Sequence, residues 1–254
     1  MIHLDSIDSV EKIWTNKLDI NNQIYDNFCR LYEANETLVS HRRFIKNNNL
    51  GYGEDPFHYL WWILLDKIRE TFGGIRFLEI GVFKGQILSL VPYIAKAKGC
   101  DCEFRGATPL SGAGDKYATY EADDYLAIIT KIFKHFEVPF DCSQNLIHGF
   151  STDENTIEKI KKNKYNLLYI DGSHDYEDVV SDINLMHDIL DVGGYLVMDD
   201  ASSSLAMPLM RFGRKSFNGH PDVAKAIDDF LIKDRRYKHL FACGHNRVFR
   251  RESL

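Results

Sequence analysis

The stretch YNLLYIDGSHDYEDVVSDINLMHDILDVGGYLVMDD, residues 165–200, decides the fold. Its two apolar runs, YNLLYI and YLVM, are typical of buried strands, and the residues between them have the pattern of a helix. A strand, a helix and a second strand form a right-handed crossover, which makes the two strands parallel neighbours about 4.8 Å apart. The first run ends at Asp171, and the second ends at Asp199 and Asp200. These three carboxylates are therefore expected to converge at one edge of a sheet.

The same alternation of strand and helix extends over most of the chain. IRFLEIG, CEFRGATPL and NLIHG have the character of strands, each followed by a helical pattern, and KHLFACGHNRVFRRE resembles two strands joined by a turn at Gly244-His245-Asn246. This order predicts a mainly parallel sheet with helices on both faces. From about residue 6 to 50 the chain is polar and loosely helical, and the loop-like NNNLGYGEDP, residues 47–56, follows. We therefore predict an N-terminal helical appendage over residues 1–52 and one domain over residues 53–254.

Composition narrows the class of protein. The chain has 254 residues and a net charge of -6, which argues against a general nucleic-acid or anionic-membrane binder. No apolar run of about 18 residues and no signal-peptide pattern occur, so a cytoplasmic protein without a membrane span is expected. The cysteines lack the CxxC spacing of zinc sites and are predicted to be free thiols; they are Cys29, Cys100, Cys102, Cys142 and Cys243.

The turn after the first predicted strand, FLEIGVFKGQ, has features of a ligand site. Gly81 and Gly85 allow a tight turn and a close approach of the backbone, while Glu79 offers a carboxylate. The dinucleotide fingerprint GxGxxG is absent because Phe83 stands where its second glycine belongs, which disfavours a nicotinamide cofactor. The alternative is a tight turn that binds nothing.

Four motifs together add a family resemblance. FLEIGVFKG, HGFSTDE, LLYIDGSH and GGYLVMDD, closed by an antiparallel hairpin, resemble the class I S-adenosylmethionine-dependent methyltransferases over about residues 74–250. The resemblance is narrower to the subgroup with macrolide-sugar O-methyltransferases and proteins named cephalosporin hydroxylases. It implies a Rossmann-like seven-stranded mixed sheet of order 3-2-1-4-5-7-6. It also implies S-adenosylmethionine as cofactor, held by Glu79, Gly81, Gly85, Gly149, Ser151 and Asp171.

The end of the second strand departs from that family. Its members usually have an acid there to hold the ribose hydroxyls, whereas this chain has Thr108 and Pro109. Asp115, in the loop that follows, is a candidate substitute, and a different mode of holding the cofactor is the alternative.

The acids after the fourth and fifth strands predict a cation site. Asp171, Asp199 and Asp200 would repel one another without a positive charge among them, and an all-oxygen set suits Mg2+. His174, three residues past Asp171, is a candidate general base for a hydroxyl proton. The alternatives are solvated or helix-capping acids and a histidine that only orients the turn.

A long loop, ASSSLAMPLMRFGRKSFNGHPDV, follows Asp200 and is expected to contact substrate. Arg211 and His220 are its candidate substrate-binding residues, although a solvated basic face, shared with Arg214 and Lys215, is as good an explanation for the arginine.

These features predict a metal-assisted O-methyltransferase acting on a hydroxyl of a sugar or glycosylated small metabolite. A metal-dependent hydroxylase is disfavoured because iron oxygenases use two histidines and one carboxylate, whereas the sequence motif offers three acids and one histidine. A non-catalytic scaffold is the other rival. A homo-oligomer is plausible from the polar N-terminal segment and the aromatic helix after it.

Overall fold

The computed structural model describes residues 4–253, except 113, 121–122, 208–209, 212–213 and 216, and leaves the side chains of residues 210, 211, 214 and 215 undescribed. The helices are α1 (Ile7–Ile13), α2 (Leu18–Glu33), α3 (Glu36–Asn47), α4 (Asp55–Phe72), α5 (Gln86–Ala97), α6 (Tyr125–His135), α7 (Cys142–Asn145), α8 (Glu154–Lys161), α9 (Tyr176–Ile189) and α10 (Pro221–Phe230). The strands are β1 (Ile75–Ile80), β2 (Cys102–Thr108), β3 (Leu146–His148), β4 (Tyr165–Ile170), β5 (Leu190–Met198), β6 (Met210–Arg211), β7 (Arg214–Lys215), β8 (Tyr237–Cys243) and β9 (Asn246–Arg251).

Seven of these strands form one sheet in the order β3-β2-β1-β4-β5-β9-β8. Strands β1 to β5 pair in parallel, and β9 lies antiparallel between β5 and β8. If only the strands of this sheet are numbered, the order is 3-2-1-4-5-7-6 with the seventh strand antiparallel. The predicted Rossmann-like fold is therefore confirmed, while β6 and β7 form a separate two-stranded ribbon.

Alternate residues of the central strands pack into two hydrophobic cores, one on each face of the sheet. Phe77 and Leu167 pack in the core that contains residues of α1 to α6, whereas Leu78 and Leu168 pack in the core beneath α8, α9 and α10. Successive side chains of a strand point to opposite faces, so strands covered on both faces must be apolar at nearly every position. This requirement explains the unbroken apolar run in β4, all of whose residues are buried.

The N-terminal helices pack directly on the sheet domain. Ile7 of α1 and both Ile24 and Phe28 of α2 belong to the same hydrophobic core as Phe77 of β1. The boundary near residue 52 stays a prediction, and the core extends across it. The five cysteines are free thiols, as predicted. Among the described residues, no helix is both long enough and apolar enough to cross a membrane.

Candidate functional site

A cavity of about 860 Å³ opens at the carboxyl ends of the parallel strands. Ile80 of β1 pairs with Ile170 of β4, which in turn pairs with Met198 of β5. The chain leaves all three strands at the same level, so the residues that follow them line the cavity together. This edge is where ligands bind in open α/β sheets.

Gly81 allows the turns after β1 and β4 to touch. Its φ is +92°, and a Cβ at this position would lie 1.9 Å from the carbonyl oxygen of Asp171. Any other residue would have to displace the β4 turn, and it would also adopt a backbone conformation that L side chains disfavour. Gly85, with φ +87°, is the N-cap of α5 and lies at the end of the same turn. The glycines predicted from the sequence are thus required by the backbone at the cavity.

Glu79 is a buried acid with an unused oxygen. The residue is 3% exposed, lines the cavity, and its Oε2 has no hydrogen-bond partner among the described residues. Burial, and then the charge of Asp199, raise the pKa of Glu79 well above its ordinary value. Burial therefore favours the uncharged form of this carboxyl, and a positive group beside it would favour the charged form.

Asp171 and Asp199 are a coupled pair at the floor of the cavity. Burial, and then the charges of Asp199 and Asp200, raise the pKa of Asp171 well above its ordinary value. The hydroxyl of Tyr169 donates to Asp171 Oδ2 at 3.2 Å. Burial works against the charge of Asp199 too, but its ion pair with His245 outweighs burial and lowers the pKa of Asp199. Of the two acids, Asp171 therefore holds a proton more strongly than Asp199 does.

His245 supplies the positive charge next to Asp199. Its Nε2 lies 3.2 Å from Asp199 Oδ1 and 3.9 Å from Asp200 Oδ1. Burial would lower the pKa of His245, but the two carboxylates raise it to about 9. The imidazole is therefore charged at neutral pH.

His174 lies between two carboxylates, and both ring nitrogens are engaged. Its Nδ1 is 2.7 Å from Asp115 Oδ2, which also accepts a hydrogen bond from the His174 amide at 2.8 Å, and its Nε2 is 2.9 Å from Asp200 Oδ2. His220 Nε2 approaches the same Asp200 oxygen at 3.6 Å. Burial lowers the pKa of His174, but the hydrogen bond to Asp200 and then the charges of both acids outweigh it. Burial and the neighbouring His174 lower the pKa of His220.

These contacts form two clusters whose ligand atoms lie within 4.8 Å of one another. One is His174 with Asp200 and His220, and the other is Asp199 with Asp200 and His245. Asp171 belongs to neither cluster, although it is in contact with Asp199. The acids predicted from the sequence do converge, and histidines join them.

Most of the other predicted residues also line the cavity. Gly149 has φ +142°, and Ser151 donates a hydrogen bond to the buried Asp182. Asp115 lines the cavity as well, but its carboxylate accepts from His174 and from the Tyr117 and Ala118 amides, so it is not free to take the ribose role considered for it. The side chain of Arg211 lies outside the described part of the structure, as do those of Arg214 and Lys215.

Sequence reasoning missed the roles of His245 and Asp115. His245 lies in the turn between β8 and β9, where the sequence indicated only a change of direction. The position of His245 could have been inferred from the pairing of β9 with β5. Met198 pairs with Arg247, so the turn before β9 must lie beside the end of β5. No sequence signal brings Asp115 to His174.

Aromatic rings surround the mouth of the cavity, and its charge is acidic. Tyr52, 75% exposed, stacks on Phe83 at 5.7 Å, and Phe83 contacts Tyr120 at 5.1 Å between ring centroids. Lys84 is the one lysine or arginine among the described lining residues, and it is ion-paired with Asp123 at 2.7 Å. A neutral ring suits such a mouth better than a phosphorylated one.

Comparison with known proteins agrees with this geometry. Residues 78–201 match the family model of a methyltransferase domain. An uncharacterized protein of Acanthamoeba polyphaga mimivirus is 30% identical over 165 residues, which are 62% of this chain and 65% of that protein. The chain thus spans 65% of the length of this curated relative.

Several solved structures share the fold. The SAH-bound methyltransferase PaMTH1 from Podospora anserina superposes with a TM-score of 0.55 at 14% identity, over 86% of this chain and 89% of that one. The O-methyltransferase NovP gives a TM-score of 0.54 at 16% identity, over 77% and 79% of the two chains. An SAH-bound O-methyltransferase from Bacillus cereus gives 0.51 at 11% identity, over 86% and 91%.

Proposed function

On the premise that residues 78–201 form a methyltransferase domain, as the sequence resemblance predicted, we propose that this protein methylates a hydroxyl group. The donor is S-adenosylmethionine, and the acceptor is a small neutral molecule, a sugar or a glycosylated metabolite. A divalent cation at the carboxylate cluster assists the reaction. One observation carries the proposal: an unpartnered buried carboxyl, Glu79, and the acids after β4 and β5 open into the same cavity.

The residues around Glu79 fit a cationic cofactor. S-adenosylmethionine supplies an electrophilic methyl group on a sulfonium, and its amino acid part carries an ammonium. A buried carboxyl oxygen without a partner is costly, and an ammonium donor beside it would remove that cost. Gly81, Gly149, Ser151 and Asp171 line the same space, and together with Gly85, the N-cap of α5, they complete the proposed binding set.

The carboxylates Asp171, Asp199 and Asp200 are proposed to hold the cation, for which Mg2+ is the first candidate because all their ligand atoms are oxygen. Burial, and then repulsion from Asp199 and Asp200, raise the pKa of Asp171, and a cation would relieve that repulsion. A cation in this position lowers the pKa of a bound hydroxyl. The acceptor is proposed to lie between the carboxylates and His220, under the aromatic mouth.

His174 remains the proposed general base, with a constraint from its surroundings. Since Asp115 and Asp200 occupy both ring nitrogens, Nε2 must first pass the proton that it shares with Asp200 to that carboxylate or to solvent, and exchange this contact for one with the acceptor hydroxyl, before it takes the hydroxyl proton. Asp115 then holds the ring and stabilises the imidazolium that forms.

Calorimetric titration of metal-stripped protein with SAH tests the cofactor site. We expect Glu79→Gln to weaken binding about 10- to 100-fold, because a hydrogen bond to a charged group contributes roughly 1.5–3 kcal/mol. Glu177→Gln, an exposed acid at the start of α9, is the matched control and should bind like the parent. Binding to the parent should also release the Glu79 proton, so the measured enthalpy should depend on the buffer, and this dependence should vanish in Glu79→Gln.

The same titration with Mg2+ tests the cation site, which Asp199→Asn should abolish. If SAH does not bind the parent protein at all, the cofactor proposal is wrong, and a non-catalytic scaffold becomes the better account. If SAH binds and Mg2+ does not, only the cation part is wrong.

A further inference from the structure

The cluster of His174, Asp200 and His220 has the chemistry of a transition-metal site. We propose that these three side chains bind a borderline divalent ion such as Zn2+, Mn2+ or Fe2+, as an alternative to Mg2+ at the carboxylates, with which this set shares Asp200. A role of this ion in catalysis rests on the proposed function, whereas the binding of the ion does not. Two imidazole nitrogens and one carboxylate oxygen suit such ions, whereas Mg2+ prefers oxygen alone.

The distances fit a shared ion. Two ligands at about 2.1 Å from one ion, at angles between octahedral and tetrahedral, lie roughly 3.0 to 3.4 Å apart. Asp200 Oδ2 is 2.9 Å from His174 Nε2 and 3.6 Å from His220 Nε2, and the ligand atoms of all three residues lie within 4.8 Å of one another. A small inward shift of His220 would complete the set.

The surroundings of His174 are those of a metal-binding histidine. A ligating imidazole almost always donates its other ring N–H to a carboxylate or carbonyl, which fixes the tautomer and the orientation of the ring. Asp115 provides this carboxylate at 2.7 Å from Nδ1, and it is itself held by backbone amides. Nε2 is thereby directed at Asp200, and either a proton or a metal ion, but not both, can lie between them.

Asp200 and His220 are held together by the backbone. The His220 amide donates to the Asp200 carbonyl at 2.8 Å, and a Cβ on Gly219 would lie 2.1 Å from that carbonyl oxygen. Asp200 itself has φ +50°, a conformation that costs a non-glycine residue energy and is found where a side chain must be aimed. The ring of Tyr117 packs on His220 at 4.5 Å. Two of the three ligands are thus preorganised.

The second cluster, Asp199 with Asp200 and His245, lacks such support. Nδ1 of His245 is buried and has no hydrogen-bond partner among the described residues, so nothing fixes the tautomer that a ligand needs. His245 instead forms an ion pair with Asp199 at 3.2 Å. The structure therefore favours the cluster around His174.

The ligand role and the base role of His174 exclude each other. With an ion on Nε2, the acceptor hydroxyl would lose its proton to solvent or to another group while its oxygen is held at the ion. Two histidines and one carboxylate are also the set that the sequence motif lacked, since His220 comes from the later loop. Ligand identity alone does not make the protein an oxygenase.

Metal-stripped protein titrated with Co2+ or Zn2+ tests the inference. Co2+ bound to imidazole should give visible d–d absorption, and Zn2+ should displace it. We expect His220→Ala to lose this binding by at least tenfold and Asp115→Asn to weaken it about 10- to 100-fold. His148→Ala, an exposed histidine in β3, is the matched control and should bind like the parent. Circular dichroism and thermal melting of each variant establish that it is folded.

Asp171→Asn separates the two metal sites. If the ion binds to the histidine cluster, this variant should retain Co2+ binding within a few-fold, because Asp171 is not in the set. If Mg2+ binds, is lost in Asp171→Asn and is retained in His220→Ala, the carboxylate site is correct and this inference is wrong. SAH binding without any Co2+ or Zn2+ binding likewise overturns the inference alone, whereas metal binding without SAH binding overturns only the proposed function.

Discussion

Replacing Asp182 by asparagine should make the stability of this protein less sensitive to pH. Asp182 lies in α9 beneath the cavity and is 1% exposed. Its Oδ1 has no hydrogen-bond partner among the described residues. Burial raises the pKa of Asp182 to about 7, although the hydrogen bond from Ser151 opposes the shift. Asparagine has nearly the same shape but cannot ionise.

The magnitude follows from proton linkage. Above about pH 4 the unfolded chain has lost the Asp182 proton, while the folded protein keeps it until about pH 7, so the folded state binds more protons in this window. Stability therefore falls as pH rises through the window, and the loss is complete above pH 7. At 1.36 kcal/mol per pH unit, the part of this loss between pH 5 and pH 8 is about 3 kcal/mol.

Urea unfolding at pH 5, 6, 7 and 8 measures the effect. The other titrating groups are common to both proteins, so they cancel in the difference between Asp182→Asn and the parent. We expect the variant to gain about 3 kcal/mol relative to the parent from pH 5 to pH 8. Glu177→Gln, an exposed acid in the same helix, should show no such trend. Parallel stability curves for Asp182→Asn and the parent would refute the reasoning.

Two further predictions concern the turn after β1 and the ion pair of Asp199. Gly81→Ala should destabilise the protein by more than 2 kcal/mol, because its Cβ would lie 1.9 Å from the Asp171 carbonyl oxygen. Gly99→Ala has a positive φ but open space, so it should cost only about 1 kcal/mol in the same thermal and urea unfolding experiments, and equal losses would contradict the steric argument. In NMR titration, the His245 ring should change protonation near pH 9, and Asp199→Asn should lower this midpoint. Since the pKa of His245 is higher in the folded protein than in the unfolded chain, the ion pair stabilises the fold fully below about pH 6.5, and this stabilisation is lost as pH rises through 9. An unchanged midpoint in Asp199→Asn would show that Asp199 does not raise the pKa of His245.

The parts of the fold that could be predicted are those set by local periodicity. The apolar runs of β1, β4 and β5 are long enough to be recognised, and a right-handed crossover leaves one arrangement for a strand, a helix and a strand. Because strands start and end where the apolar pattern does, the convergence of Asp171, Asp199 and Asp200 followed directly. Gly81 was recognisable for the same reason, since the turn after β1 must be tight.

The histidines and Asp115 could not be predicted from such patterns. Asp115 comes from the long loop after β2, and His220 from the loop after β5, where no periodicity fixes the course of the chain. Their side chains meet at His174 only because the tertiary structure closes over the carboxyl edge of the sheet. The pKa shifts of the three acids could not be predicted from the sequence either, because they depend on which acid lies next to His245.

The placement of charge links these observations to the choice of acceptor. The ion pair with His245 lowers the pKa of Asp199, whereas burial raises the pKa of Asp171 and of Glu79, so these two acids hold their protons more strongly than free carboxyls do. A cationic cofactor or a metal ion would draw those protons off, and the charge it brings would be matched by the carboxylates left behind. For an anionic acceptor, the one lysine or arginine among the described lining residues, Lys84, is already paired with Asp123. The buried acids of the cavity floor are therefore suited to the positive ligands and the neutral acceptor that we propose.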